Sequence, residues 1–318
     1  MDNNNTLMFT GRDRIPIPDY VKHVIISEEL DHVPIWSFGW NSNIESVVGH
    51  AGIRTIEKCA FYECTSLSYV DLPGVVEIEE DAFVRCIKLP LVRFPNLEVI
   101  GHSAFCDCEG LEFIDLPSVR IVDDSGFQGC TMLECALFGS RLESLGRMVF
   151  RECSSFEYVG LPLKAGVINC DDTFYECRNL VTVRLVEEAV LNETVKCLQL
   201  QSWRNSMNLV IGSIFSAISS AHPGGPILTS RGNPDLLWRA GDKARTINRW
   251  IRSVLRDVNL YKRYHQEFLE EAATSLNLVL PQEIVSGRII PFLELPPHEY
   301  QSLRPVDDVD VHGYEVLS

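Results

Sequence analysis

The sequence predicts an α/β repeat fold: a curved solenoid with parallel strands on its concave face, followed by a C-terminal α-helical hairpin or cap. Three regular features predict this fold. A phenylalanine recurs every 22 to 24 residues, a cysteine follows it by three positions, and an apolar residue precedes it by five or six. A fixed period in the low twenties is typical of stacked repeats. The phenylalanines are Phe61, Phe83, Phe105, Phe127, Phe150 and Phe174.

Each unit divides into a turn and a strand. The Leu-x-x-Val-x-Leu piece, as in Leu67 to Leu72, predicts a strand, and the Phe-x-x-Cys piece predicts a helical turn on the other side. One unit has too few apolar residues to bury a core alone, so the units must stack. Cysteine is small and often buried, which suits a column inside the stack. The column comprises Cys64, Cys86, Cys108, Cys130, Cys153 and Cys177.

The repeat motif resembles a known family. The pattern Ile-x-x-x-Ala-Phe-x-x-Cys-x-x-Leu-x-x-Val-x-Leu-Pro is similar to the BspA-type (treponemal-type) leucine-rich repeat, and its best copies run over 56–73, 78–95 and 100–117. Later copies depart from it, since Gly126 and Val149 replace the alanine. The resemblance covers roughly residues 15–186. It implies a curved leucine-rich-repeat solenoid that binds other molecules, and it brings no catalytic residues.

The order of patterns along the chain predicts four parts. Phe38, with Asn41 at the cysteine position, marks a degenerate first repeat, and the period stops after Leu185. Helical spacing follows from Trp203 and continues to Pro281, and this region resembles the uncharacterised helical tails of other repeat proteins. The predicted parts are a flexible N-terminus 1–14, a solenoid 15–190 with about eight strands, a helical region 191–280 and a flexible acidic tail 281–318.

The solvent-facing side chains of the predicted strands form the candidate site. Four of them are apolar or aromatic, where a solvated strand face should be polar, and such patches often mark interaction sites. The sequence therefore predicts a protein-binding surface on the concave face. The alternative is that these side chains only cover neighbouring strands. The predicted partner-binding residues are Tyr69, Leu91, Phe113 and Tyr158 with Asp71, Arg93, Asp115 and Arg184.

Charge limits the classes of partner. The net charge is −16, which argues against nucleic acid as the main partner because phosphate binding needs clustered cations. The one basic stretch, 239–263, carries a net charge of +6. It is interpreted as a solvated face or one docked on the acidic solenoid. The alternatives are contact with an acidic partner or an anionic membrane surface.

Nothing in the sequence indicates catalysis. No nucleotide-binding, zinc-protease or serine-hydrolase motif occurs, so we expect no enzyme, no cofactor and no metal. The eleven cysteines lack paired Cys-x-x-Cys spacing and are expected to be free thiols. No apolar run is long enough to span a membrane and no secretory signal is visible, so the expected location is the cytoplasm.

Three functional hypotheses follow. The leading one is a non-enzymatic repeat scaffold or adaptor that binds a protein partner, of unknown identity, on the concave face. The alternative places a self-association or effector module in the C-terminal helices, with the solenoid as its support. The third is an enzyme with a hidden thiol nucleophile, which would need an exposed electropositive site around its cysteine.

Overall fold

The computed structural model describes residues 5–11, 17–220, 242–290, 293 and 295 of the chain. The first part is a solenoid of short parallel strands and the second is helical. In chain order the strands are β1 (Thr6–Phe9), β2 (His23–Ile26), β3 (His32–Val33), β4 (Ser46–Val48), β5 (Thr55–Ile56), β6 (Tyr69–Asp71), β7 (Glu77–Ile78), β8 (Leu91–Val92), β9 (Val99–Ile100), β10 (Phe113–Leu116), β11 (Ile121–Val122), β12 (Cys135–Phe138), β13 (Ser144–Leu145), β14 (Tyr158–Leu161) and β15 (Thr182–Leu185).

The strands form three parallel sheets around one core. The concave face holds a four-stranded sheet, β1-β2-β4-β6, and a five-stranded sheet, β8-β10-β12-β14-β15. The eight strands predicted for this face are all present, and the predicted solenoid is confirmed. A third sheet, β3-β5-β7-β9-β11-β13, was not predicted. Its two-residue strands are too short to show a period in the sequence.

Strand β1 lies in a segment that the sequence predicts to be flexible. It pairs in parallel with β2, and the ring of Phe9 lies 4.8 Å from that of Phe38. Because Phe9 is 8% exposed, it covers the first turn of the stack. Residues 1–4 and 12–14 of the predicted flexible segment lie outside the described residues.

The phenylalanines form a single ladder through the core. From Phe38 to Phe174 the ring centroids of successive repeats lie 4.8 to 5.8 Å apart, with interplanar angles of 2° to 13°. All seven rings are buried. This spacing matches the distance between neighbouring strands, so ring stacking and strand pairing repeat together.

The Phe-x-x-Cys turns are not helical, which corrects the sequence interpretation. Around Phe61, for example, Cys59 and Glu63 both have positive φ, at 56° and 54°. The N–H groups of these three residues donate to Glu80, Ala82 and Val84 of the next repeat, at 3.1, 2.7 and 2.8 Å. A helical turn would direct its N–H groups along its own axis, whereas the stack needs them directed at the neighbouring repeat.

The predicted cysteine column is buried and also forms hydrogen bonds. Each Sγ–H donates to the main-chain oxygen of the phenylalanine in the preceding repeat, at 2.8 to 3.3 Å. The cysteine therefore gives a buried carbonyl group a partner while filling a small interior site.

A proline divides the concave face into its two sheets. In other repeats the residue at this position donates its N–H to the preceding repeat, as Ser68 does to Glu45 at 3.0 Å and Glu112 to Pro90 at 2.9 Å. Pro90 has no N–H, so it accepts from the following repeat and cannot donate to the preceding one. β6 and β8 are consequently not paired.

Three helices of at least ten residues follow the solenoid in the described part of the chain. They are α1 (Glu188–Cys197), α2 (Gln201–Ser220) and α3 (Asp242–Asn277). α2 and α3 pack against each other as the predicted hairpin, whereas α1 was not predicted. Residues 221–241 between them lie outside the described residues.

Part of the predicted flexible tail is helical. A short helix, α4 (Gln282–Ile284), continues into a π-helical turn at Val285–Ile289 that contacts α3. Val285 is 1% exposed, and Nε2 of His265 on α3 lies 2.6 Å from the oxygen of Leu293. Burial against α3 explains why this segment has a defined structure. The rest of the acidic tail lies outside the described residues.

Helix α3 caps the last repeat through a buried lysine. The Nζ of Lys243 donates to the oxygens of Cys177, Arg178 and Leu180 at 2.7, 3.1 and 2.7 Å. Burial lowers the pKa of Lys243. Within the described residues no further repeat follows to supply donors, so one ammonium group satisfies three carbonyls at the end of the stack.

Removal of one ring from the ladder should be costly. Phe105→Ala is expected to lower the free energy of unfolding by about 3 to 5 kcal/mol, because a fully buried ring leaves a cavity. Phe113→Ala makes the same chemical change on a ring that is 41% exposed, and should cost about 1 kcal/mol or less. Denaturant unfolding of both variants checks this, and equal losses would contradict the ladder.

Loss of the lysine cap should destabilise the C-terminal end of the solenoid. Lys243→Met keeps the apolar stem but removes three charge-assisted hydrogen bonds, so we expect a loss of about 2 to 4 kcal/mol. Lys196→Met, which removes an exposed pair with Glu193, is the control and should cost less than about 1 kcal/mol. Denaturant unfolding measures the loss of unfolding free energy in each variant. Faster amide exchange around Cys177 in Lys243→Met, but not in Lys196→Met, would show that the last repeat is the part destabilised.

Candidate functional site

One row of side chains crosses the five-stranded sheet on its solvent side. Strand pairing aligns Leu91, Phe113, Cys135, Tyr158 and Thr182, and we call this set the concave row. Leu91 and Phe113 are 42% and 41% exposed, while Tyr158 is half-buried. The pleat alternates buried and exposed residues along each strand, which places these side chains outside the core.

Tyr69 does not belong to the concave row. Its side chain is 54% exposed, but its strand β6 pairs with β4, where Tyr69 aligns with Ser46. The sequence predicted one continuous apolar stripe through Tyr69 and Leu91. The structure brings Leu91, Phe113 and Tyr158 together and sets Tyr69 in a separate sheet, because Pro90 cannot pair with the preceding strand.

A second row lies beside the concave row, and its middle is apolar. Asp115, Leu137, Gly160 and Arg184 align across neighbouring strands. A Cβ on Gly160 would lie 3.1 Å from Cδ2 of Leu137, so Leu137 covers this glycine. Leu137 is not among the predicted partner-binding residues. Its side chain can lie over the neighbouring strand because the paired residue there, Gly160, has no side chain.

The charged members of the predicted site are all exposed, and one of them contacts an aromatic ring. The guanidinium of Arg184 lies 5.8 Å from the ring centroid of Tyr158, within the range of a cation–π contact. Asp115 and Arg184 lie on the same sheet, Arg93 follows β8, and Asp71 ends β6 in the other sheet. The surface therefore presents both signs of charge around an apolar centre.

Three glutamates border the concave row at the start of the strands. Glu112, Glu134 and Glu157 are exposed and occupy the same position in successive repeats. The N–H of Glu134 donates to Glu112 and that of Glu157 to Glu134, both at 2.9 Å, so the three carboxylates follow neighbouring strands. The signal in the sequence was a glutamate two residues before the central strand residue in three consecutive repeats.

The concave row ends at a groove of about 370 Å³ between the last strand and the helices. β15 supplies Thr182 and Arg184, and α2 supplies Phe215, which is 69% exposed. Trp250 of α3 forms another wall, and its indole Nε1 donates to Val210 at 2.9 Å. The groove requires α2 to pack beside β15, which no local sequence pattern reveals.

A larger cavity, of about 770 Å³, lies at the N-terminal end of the solenoid. The indoles of Trp36 and Trp40 line it and stack on each other at 4.6 Å. Later repeats place residues such as Glu63 at these positions of positive φ. A Cβ on Gly39 would lie 2.7 Å from Trp36, so the glycine leaves room for the indole. This cavity is separate from the predicted site.

The surroundings of Cys64 and Cys106 are not those of a reactive thiol. All eleven are free, and the six column thiols are buried. Burial raises the pKa of Cys64 to about 12. Burial, followed by the charge of Asp107, raises the pKa of Cys106 to about 12. An activated thiol has a lowered pKa beside a cation or a base.

Metal binding and membrane crossing receive no support from the described residues. Among them, no cluster of three or more His, Cys, Asp or Glu side chains is arranged to hold a metal ion. None of the helices in the described ranges combines the length and the apolar character needed to cross a bilayer.

Comparison with known proteins gives one family and several similar structures. The profile of the BspA type leucine-rich repeat region matches six copies, over residues 19–118 and 76–209. A leucine-rich repeat protein of T. pallidum is 25% identical over 51% of this chain and 68% of its own, with a TM-score of 0.37. A leucine-rich cell surface protein of Faecalibacterium prausnitzii is 16% identical over 52% and 60%, with a TM-score of 0.36. No curated protein sequence matches the chain.

The raised pKa values predict slow thiol chemistry in the native protein. At pH 8 a thiol with a pKa of about 12 is about one part in ten thousand ionised, against about a quarter for an ordinary cysteine. Alkylation of Cys64 and Cys106 should therefore be at least about a thousandfold slower in native than in denatured protein, and should accelerate as pH rises. Peptide mass spectrometry after timed alkylation measures this, and a fast-reacting column thiol would revive the hypothesis of a thiol enzyme.

Proposed function

Since the chain belongs to the BspA-type leucine-rich repeat family, whose profile matches over residues 19–209, we propose that it is a non-enzymatic scaffold or adaptor. It binds a protein partner through the concave face of the solenoid. Leucine-rich repeat proteins are generally protein-binding scaffolds. The observation that supports this site is the concave row, where Leu91, Phe113 and Tyr158 lie on the solvent side of the sheet and the first two are exposed.

The chemistry of the surface supports a partner segment that is both apolar and basic. Phe113 and Leu91 offer large apolar contacts at the centre, and buried aromatic anchors carry much of the energy of protein interfaces. The glutamates beside them favour lysine or arginine at the edge of the partner, which would increase the rate of association. The groove at Arg184 extends the surface toward α2 and lengthens the segment that could bind.

We also propose that the protein is cytoplasmic and has no catalytic activity. Its eleven cysteines are free thiols, which a reducing compartment maintains. The raised pKa values of Cys64 and Cys106 oppose a role as nucleophiles. Both observations agree with a scaffold whose cysteines serve packing and hydrogen bonding.

Site-specific crosslinking tests the surface and identifies the partner. A photoreactive phenylalanine analogue at Phe113 should crosslink to a discrete protein in cells that produce the chain. The same analogue at Leu209, which is 76% exposed on α2, is the control and should not crosslink to that protein. The variant Leu91→Ala/Phe113→Ala should then weaken binding of the identified partner by about thirtyfold or more, as loss of a hot spot of about 2 kcal/mol implies.

Calorimetric titration of the purified pair gives the affinities. Leu209→Ala should bind the partner as the wild-type chain does, and circular dichroism should show the same fold for all variants. Unchanged affinity in folded Leu91→Ala/Phe113→Ala would contradict the assignment of the concave row. Glu134→Lys should weaken binding most at low salt, because exposed charge pairs are screened as ionic strength rises.

A further inference from the structure

The outward face of α3 separates its charges by sign along the helix. At 100° per residue, seven exposed charged residues lie within about 60° of the direction of Arg256. The first half of this face is basic and the second half is acidic. We call it the α3 stripe, and its members are Arg249, Arg252, Arg256, Arg263, Glu267, Glu270 and Glu271.

The α3 stripe points away from the body of the protein. The opposite side of the helix carries Ile247, Val254 and Val258, which are 0% to 3% exposed and belong to the core shared with the solenoid. One side of α3 is therefore buried by packing against the rest of the protein. The stripe is left as a surface that runs, from Arg249 to Glu271, for about 33 Å at 1.5 Å per residue.

Intramolecular ion pairs do not account for the stripe. Arg245, one turn before it, contacts Asp171 of the solenoid at 3.1 Å, and Arg256 contacts its neighbour Asp257 at 2.8 Å. Within the described residues, Arg249, Arg252 and Arg263 have no ion pair, and neither do Glu267 and Glu271. Docking on the acidic solenoid, which the sequence suggested for this helix, thus involves Lys243 and Arg245 and leaves the stripe exposed.

The order of the charges is the less favourable one for the helix itself. A pair four residues apart is more favourable when the acid comes first, whereas Arg263 precedes Glu267. The helix dipole also favours acids in the first turn and bases in the last, and α3 has no basic residue in its last turn. Stability of the helix therefore does not explain the separation of charge, whereas a partner outside the helix would.

We infer that the partner is a second copy of this chain, with the two α3 helices packed antiparallel about a two-fold axis. Antiparallel pairing sets the basic half of each stripe against the acidic half of the other. Such a contact uses the same surface on both copies and closes on itself, so it produces a dimer and no longer assembly. This dimer does not depend on the concave face proposed for partner binding.

One register of the two antiparallel α3 helices brings two different pairs of opposite charge together. A two-fold axis between positions 261 and 262, at the level of Leu260 and Arg263 on this face, places Arg252 opposite Glu271 of the second copy, and Arg256 opposite Glu267. Symmetry repeats both pairs, so four ion pairs form. Leu260 lies close to the axis and would be covered. Arg263 is the one cation of the stripe that comes near its own counterpart, which lowers the affinity expected of the dimer.

Because the stripe carries both signs of charge, a second copy fits it better than a partner that is negatively charged throughout. An anionic membrane or a nucleic acid would attract the arginines but repel Glu267, Glu270 and Glu271 on the same face. A second copy matches both halves. Exposed ion pairs contribute roughly 0.2 to 1 kcal/mol each, so the dimer should be weak and sensitive to salt.

Charge reversal on the full chain tests the pairing directly. The variant Arg252→Glu/Arg256→Glu has acidic side chains at all four paired positions, and Glu267→Arg/Glu271→Arg has basic side chains at all four. Each should be a monomer at an ionic strength of about 0.01 M, where the Debye length is about 30 Å. An equimolar mixture of the two should form a heterodimer, because all four opposite pairs then carry opposite signs.

Sedimentation velocity over a range of concentrations gives the oligomeric state. The wild-type chain should dimerise at about 0.01 M salt and dissociate at about 1 M, where the Debye length is about 3 Å. The variant with all four reversals in one chain should dimerise as the wild type does. Arg93→Glu/Arg184→Glu alters charge on the concave face by the same amount and should leave the dimer intact.

Two results would overturn the inference. One is a wild-type chain that stays monomeric at low salt, including one that binds vesicles of anionic lipid instead. The other is a mixture of folded charge-reversed variants that does not associate. Neither result bears on the concave face, whose crosslinking experiment uses Phe113 on a different surface.

Discussion

The structure depends on one constraint: each repeat supplies the hydrogen-bond partners and the apolar surface that its neighbour lacks. The phenylalanine rings stack at about the same spacing as the strands, so ring contact and strand pairing reinforce each other. The thiol of each column cysteine reaches the phenylalanine carbonyl of the repeat before it. Strand N–H groups point to the preceding repeat and turn N–H groups to the following one, as at Ser46 and Phe61. A repeat removed from the stack would lose partners on both sides.

The same constraint explains the structure where the stack of repeats is interrupted and where it ends. Pro90 has no N–H to offer, and the concave face divides there into two sheets. At the N-terminal end Phe9 covers the first ring, and at the C-terminal end Lys243 donates hydrogen bonds to three carbonyls of the last repeat. Repeat proteins require such terminal units because an open stack leaves unpaired groups and apolar surface in water.

The surfaces left over after packing differ in character, and this supports different roles for them. The concave row is apolar with mixed charge at its edges, and it continues into the groove beside α2. The α3 stripe is wholly charged and ordered by sign. Burial of an apolar row against a partner of matching shape contributes free energy of binding. A charged stripe contributes little to that free energy, but it selects the partner and its orientation. A scaffold that uses both could present two concave faces from one dimer.

The sequence by itself determined the repeat, its register, the identity of the core columns and the eight concave strands. It could do so because every copy carries the same apolar residues at a fixed period, and because the strand pleat decides which of them face water. It also located the α2 and α3 helices from their 3.6-residue period. Only the tertiary structure decided that the turns beside Phe61 are not helical, that Tyr69 is separated from Leu91, and that Lys243 closes the stack. Those outcomes depend on which groups of distant residues meet, and a backbone N–H or carbonyl carries no signal in the sequence that identifies its partner.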